Sequence, residues 1–136
     1  DLSEKAVEMA KKNAKRNQVD VEFLVGDLLN PFLHRKCDIL VSNPPYVSQK
    51  EWETLDPEVK KEPTMALLGG ESGLEYYKRF AIDAKKFFYP SAFLFFEMGR
   101  GQGKAIQSLF IEEGWGKGKI FMDLEGKDRF FFLEIE

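Results

Sequence analysis

The sequence predicts an α/β domain, and three observations carry that reading. Short apolar runs alternate with stretches of helical periodicity, and two further apolar runs close the chain. The run Ile39-Leu40-Val41 leads straight into Ser42-Asn43-Pro44-Pro45-Tyr46, a proline elbow at what would be the carboxyl edge of a buried strand. In an open α/β sheet that edge is where ligands bind. With 136 residues and 43% apolar content there is room for one domain, residues 1–136.

Taken in order, the first helix is expected from about Glu4 to Asn17, where Ala6, Val7, Ala10 and Ala14 recur at helical spacing with Lys and Arg opposite. Glu4 in its first turn and Lys15-Arg16 in its last agree with the helix dipole. Val21 to Val25 reads as a strand ending in Gly26-Asp27, and Leu28 to Lys36 as a loop interrupted by Asn30-Pro31. Cys37 to Val41 is the next strand and carries the elbow. Residues 47–70 contain Pro57 and Pro63 and hold no sustained period. So long a loop is usually functional, and it is expected to fold over the elbow as a wall of the site.

A second helix is expected from about Gly73 to Phe88, with Leu74, Tyr77, Phe80, Ala81, Ala84 and Phe88 on one face and Pro90 just beyond. Ala92 to Phe96 is a nearly continuous apolar strand, the pattern of one covered on both faces. A helix from about Gln102 to Glu112 follows, and strands Ile120–Leu124 and Phe130–Ile135 flank a turn at Glu125-Gly126-Lys127.

The elbow carries the chemistry. Neither Pro44 nor Pro45 has an N–H for a sheet ladder, and Pro44 pushes Asn43 into an extended conformation. The Asn43 side-chain oxygen and the Pro44 carbonyl are then two acceptors able to hold a planar –NH2 group, and Tyr46 offers an aromatic face to a flat substrate. The competing reading is a proline-rich strand terminator with Asn43 capping a turn. No titratable residue adjoins the elbow in sequence, so no general base is assigned.

Composition removes several function classes. The net charge of −3 leaves no overall electrostatic footprint for nucleic acid. One cysteine, Cys37, excludes an internal disulfide, and with the single His34 it cannot build a metal site of the usual kind. No apolar run approaches the roughly 20 residues that span a bilayer, and the opening Asp-Leu-Ser-Glu-Lys is not a secretory leader, so a cytoplasmic protein is expected.

Asn43-Pro44-Pro45-Tyr46 resembles the motif of amino-methyltransferases that use S-adenosylmethionine. Glu62-Pro63, Ala66-Leu67, Gly69-Gly70, Gly73-Leu74, Glu97-Met98-Gly99 with Gln102, and Asp123, Gly126 and Asp128-Arg129 follow in an order similar to the HemK/PrmC glutamine methyltransferases. That resemblance implies a Rossmann-like sheet and methylation of a glutamine side-chain amide in a Gly-Gly-Gln loop of peptide chain release factors. It implies Asn43, Pro44, Pro45 and Tyr46 as the catalytic elbow. Asp1 matches the position that takes the cofactor's ribose hydroxyls, and Gly26-Asp27-Leu28 with Asn43 complete the cofactor contacts. Plain readings stand beside two of these: Asp1 as a helix cap or frayed terminus, Asp27 as a turn residue.

The same resemblance implies that the first two strands and the glycine-rich loop of the sheet precede Asp1. The 136 residues then look like the carboxyl-side portion of the catalytic domain. Val21–Val25 would lack a neighbour and Cys37–Val41 would present an open apolar edge, a template for strand exchange or association. Two other readings stay open. Gly99-Arg100-Gly101-Gln102-Gly103 with Asp123 has the form of a cofactor loop in a circularly permuted enzyme. The tetrapeptide also serves nucleic-acid amino-methyltransferases, and a non-catalytic fold remnant would keep the same pattern.

Overall fold

The computed structural model describes residues 1–136, which form two compact units, residues 1–36 and 37–136. In the first unit, helix α1 spans Glu4–Asn17 as expected. Ser3 caps it by accepting the Ala6 N–H at 3.3 Å, and Gln18 closes it in the left-handed region with its N–H on the Ala14 and Lys15 carbonyls. The Asp1 carboxylate accepts the Ser3 N–H at 2.8 Å.

The strand expected at Val21–Val25 does not form. A strand exists only through a neighbour's hydrogen bonds, and this segment joins no ladder. Its backbone bonds lie at its end, where the Asp1 nitrogen donates to the Leu24 carbonyl and the Gly26 N–H to the Asp1 carbonyl, both at 3.0 Å, while the Glu22 side chain accepts from the Arg35 guanidinium at 2.5 Å. Val21 and Val25 stay exposed.

The second unit is built on a four-stranded sheet of order β1-β2-β4-β3, with β1 at Cys37–Ser42, β2 at Phe88–Glu97, β3 at Lys119–Met122 and β4 at Asp128–Glu134. β1 and β2 are parallel, whereas β4 runs antiparallel to both β2 and β3. β2 starts earlier than its apolar run suggests, because Phe88 pairs with Cys37 before a bulge sets in. The bulge takes up Pro90, which has no N–H to give, and Ser91 at φ 63°.

Helices α4, Glu75–Asp83, and α5, Gly103–Glu112, cover one face of the sheet. A short 3₁₀ turn at Ala84–Phe87 replaces the last turn expected of α4. Leu40, Leu94, Phe96, Phe131 and Leu133 are buried on this face. Phe96 is the hub: its ring centroid lies 4.9 Å from Phe80, 5.4 Å from Tyr77, 5.8 Å from Phe110 and 6.4 Å from Phe131. Each such buried side chain contributes about 1.5–3 kcal/mol of transfer free energy. Trp115 ties the end of α5 to α4 by donating Nε1–H to the Ala81 carbonyl at 2.7 Å.

The other face departs from the expectation of a strand covered on both sides. Ile39, Val41, Phe95, Phe121 and Phe130 are exposed there, with Val41 at 74%. Phe132 lies among them, 4.8 Å from Phe95 and 5.7 Å from Phe93. The outer edge of β1 carries no strand. No helix is long and apolar enough to cross a membrane.

β3 ends two residues before the expected Leu124, because the Asp123 carboxylate pulls the chain into its turn. Oδ1 accepts the N–H groups of Glu125 at 2.9 Å and Lys127 at 3.0 Å. Those bonds, that of Lys127 first, hold the Asp123 carboxyl below the usual carboxylate range.

Candidate active site

β1 delivers the elbow at its carboxyl end, beside the carboxyl end of its parallel neighbour β2. Pro44 is buried, whereas Asn43 is exposed. The chain from Tyr46 onward is tied down from three sides, and Asn43 and Pro44 are left out of every tie.

The first tie is the return of residues 47–70. This segment is more regular than expected, holding short helices α2 at Gln49–Thr54 and α3 at Thr64–Leu67. Ser48 and Glu51 form a capping box on α2, and Pro63 opens α3. The return docks on the elbow as expected. The Val47 N–H donates to the Leu67 carbonyl at 3.0 Å, and the Gly69 N–H to the Val47 carbonyl at 2.8 Å. A Cβ on Gly69 would stand 2.5 Å from the Pro45 carbonyl oxygen, so only glycine lets the return lie this close.

The second tie is the Tyr46 side chain. Its hydroxyl donates to Glu97 Oε1 at 3.3 Å and accepts from the Arg129 guanidinium at 3.4 Å. Arg129 also stands 3.8 Å from Glu97 and 3.6 Å from Asp123. Burial, reinforced by the Glu97 charge, pushes the Tyr46 phenol above its ordinary pKa. It therefore stays protonated and serves as a donor. Glu97 itself is anchored from behind, its carbonyl accepting the Tyr77 hydroxyl at 2.7 Å. The absence of titratable neighbours read from the sequence is thus corrected: Glu97 and Arg129 reach the elbow from β2 and β4. Both are engaged with Tyr46 and with each other.

The third tie is Gln102. Its Nε2 donates to the Tyr46 carbonyl at 2.9 Å and the Gly73 carbonyl at 3.4 Å, and its Oε1 accepts the Gly99 N–H at 2.9 Å. Within the run Gly99–Gly103, the Gly99 N–H and the space beside it are therefore taken by the Gln102 side chain of the run itself. Asp123, the acid that would pair with it in a permuted cofactor loop, is spent on its own turn. These contacts leave the permuted reading without a site.

No protein group donates to the Asn43 side chain or the Pro44 carbonyl. Unpaired acceptors at the tip of a braced backbone are what a ligand –NH2 requires.

The remaining site residues of the sequence reading lie in the first unit. The contacts of Asp1 with Leu24 and Gly26 bring Asp1 and Gly26-Asp27-Leu28 together at one end of it. Gly26 is required sterically, since a Cβ there would meet the Pro31 ring at 2.2 Å. Asn43 belongs to the second unit with the rest of the elbow.

Gly73 offers a test of the bracing. It sits at φ 77°, and a Cβ would meet the Tyr46 carbonyl oxygen at 2.4 Å. Gly126 has a similar φ of 75° with nothing within 4 Å. Gly126→Ala should cost only the left-handed backbone term of about 1–2 kcal/mol and leave turnover unchanged. Gly73→Ala should add a loss of turnover of roughly tenfold or more, as the elbow is displaced. Equal turnover in the two variants, measured beside their melting temperatures, would mean that the Gly73 turn does not set the elbow.

The chain as a whole is similar to known methyltransferases. The family described as Methyltransferase small domain matches residues 1–61. Release factor glutamine methyltransferase of Bacillus anthracis is 40% identical over 141 residues, covering 100% of this chain and 50% of its own. That of Chlamydia trachomatis serovar D is 44% identical, covering 98% of this chain and 46% of its own. The chain thus spans about half the length of the curated relatives it matches. A methyltransferase from Pyrococcus furiosus shares the fold, with a TM-score of 0.73 over 98% of this chain and 59% of its own, at 16% identity. By these relatives, and by the order of motifs around its elbow, the chain belongs to the HemK/PrmC family of Rossmann-like methyltransferases.

Proposed function

We propose that the chain forms the amide-gripping part of an S-adenosylmethionine-dependent methyltransferase whose substrate is a glutamine side chain in peptide chain release factors. One observation carries the reading: the Asn43 side chain and the Pro44 carbonyl are free acceptors on a backbone otherwise tied at Tyr46, Val47 and Gly73. The residues assigned to the cofactor fit it by their chemistry. Asp1 offers an exposed carboxylate with acceptor capacity beyond its one bond to Ser3, suited to ribose hydroxyls, and Asp27 and Leu28 follow Gly26, whose N–H bonds to the Asp1 carbonyl, and are suited to adenine.

S-adenosylmethionine, when bound, supplies an electrophilic methyl group on a leaving group that needs no metal. What the chain supplies is alignment of the nucleophile. An amide nitrogen is a poor nucleophile, because its lone pair is delocalised into the carbonyl. Asn43 Oδ1 and the Pro44 carbonyl, each accepting one N–H, would place the nitrogen and favour the positive charge that develops on it. Tyr46 would present its ring to the planar amide with its hydroxyl fixed on Glu97.

A cytoplasmic enzyme fits this substrate. The bare edge of β1, with Ile39 and Val41 exposed beside it, would associate with a further strand. The test is a methyl-transfer assay on the full-length protein offering release factor and DNA side by side. Label is expected on the glutamine of the release-factor Gly-Gly-Gln loop. Label on adenine in DNA with none on release factor would overturn the assignment.

A further inference from the structure

We propose that Gln102 is a positioning residue: its side-chain amide clips the Tyr46 carbonyl to the Gly73 turn and the Gly99 loop, and so fixes where the Asn43 and Pro44 acceptors stand. The proposal rests on reading the elbow as an amide grip. All three groups that Gln102 touches are backbone atoms, drawn from the elbow, the turn before α4 and the loop after β2. Its own backbone is fixed at the start of α5, where its carbonyl accepts the Ile106 N–H at 3.0 Å.

The chemistry of the clip selects glutamine. A primary amide is uncharged, gives two N–H donors and carries an acceptor. The two donors meet the Tyr46 and Gly73 carbonyls, and the acceptor meets the Gly99 N–H. A glutamate would face both carbonyls with no proton, an asparagine is one methylene short, and a lysine or arginine has no acceptor. The surroundings are shaped to the same side chain. A Cβ on Gly99 would stand 2.8 Å from Gln102 Oε1, and one on Gly73 2.8 Å from Nε2. The glycines at both ends are therefore the space the amide occupies.

The lever from clip to acceptors is short. Only Pro45 separates Tyr46 from Pro44, and its ring holds φ near −65°. A shift at the Tyr46 carbonyl therefore passes to the Pro44 carbonyl and Asn43 with little rotation to absorb it. The Tyr46 hydroxyl, held by Glu97 and Arg129, fixes the far end of the ring, and the Tyr46–Val47 peptide plane is held by Gln102 on its carbonyl and by the Leu67 carbonyl on its N–H.

The experiment compares Gln102→Glu and Gln102→Met in the full-length protein, two variants of nearly native length that remove the donors with and without added charge. For methylation of a release-factor substrate, kcat is expected to fall by roughly 30- to 100-fold, the scale of a displacement near 1 Å. KM and S-adenosylmethionine affinity should change by less than about threefold. Hydrogen exchange at the Val47 and Gly69 amides, which needs no turnover, is expected to quicken by about tenfold or more as the elbow opens locally. Native kcat per folded molecule in both variants would overturn the proposal, as would parallel loss of kcat and cofactor affinity with unchanged exchange at Val47. Should the unmodified protein methylate no glutamine, the amide-grip reading fails, and the exchange measurement alone decides whether the clip holds the elbow.

Discussion

Asn43→Ala in the full-length protein should lower methyl-transfer turnover by about 100-fold or more, the scale of losing one preorganised electrostatic contact. The substitution removes one of two acceptors and leaves the other, so the substrate nitrogen keeps a single tether and swings out of line. Nothing in the fold depends on the residue, because it is exposed and its side chain bonds to no protein group. Stability should therefore hold within about 0.5 kcal/mol, as for ordinary surface changes. Affinity for S-adenosylmethionine should also change little. Turnover and cofactor binding falling together would make Asn43 chiefly a cofactor contact, and the amide grip would be lost as an explanation.

The largest effect on stability is expected at Phe96→Ala, about 3–5 kcal/mol. Phe96 is 1% exposed and touches the rings of Tyr77, Phe80, Phe110 and Phe131, so both covering helices and the neighbouring strand lean on it. The void left by its ring would be walled by other large rings, which cannot collapse into it without leaving their rotamers. The denaturant midpoint is the readout. A loss below about 1 kcal/mol would show that these rings repack freely and that Phe96 is not the hub.

Much of this architecture was legible in the residues. Helical spacing placed α1 at Glu4–Asn17, and the apolar runs placed β1 and β4 to within a residue or two. The elbow and its two acceptors followed from the backbone chemistry of consecutive prolines. Three features were not legible, each for a physical reason. Val21–Val25 has strand composition, but pairing depends on a neighbour, which composition does not report. The apolar run Ala92–Phe96 implied cover on both faces, whereas the covering helices occupy one of them and leave Phe95 exposed.

The bracing of Tyr46 was hidden most completely. Glu97, Gln102 and Arg129 stand 51, 56 and 83 residues from it in the chain, and the pairing of β2 with β1 and β4, with the turn from β2 into α5, brings them together. Their presence in the family's motif order was the available signal, and it marked the residues without their roles. The run Gly99–Gly103 shows the converse. Its glycine spacing suggests a cofactor loop, but its first glycine, Gly99, is the space taken by the half-buried Gln102 amide, and Gly103 packs on Asp128 and Ile120.

The central claim is that the elbow grips a substrate amide through Asn43 and Pro44, and a structure of the full-length protein with S-adenosylhomocysteine and a glutamine-bearing release-factor substrate tests it most directly. The account predicts the glutamine side-chain nitrogen within about 2.7–3.2 Å of both Asn43 Oδ1 and the Pro44 carbonyl oxygen, with Tyr46 still on Glu97 and Gln102. A glutamine bound away from the elbow, or an Asn43 amide turned onto the cofactor with the Pro44 carbonyl unpaired, would contradict it.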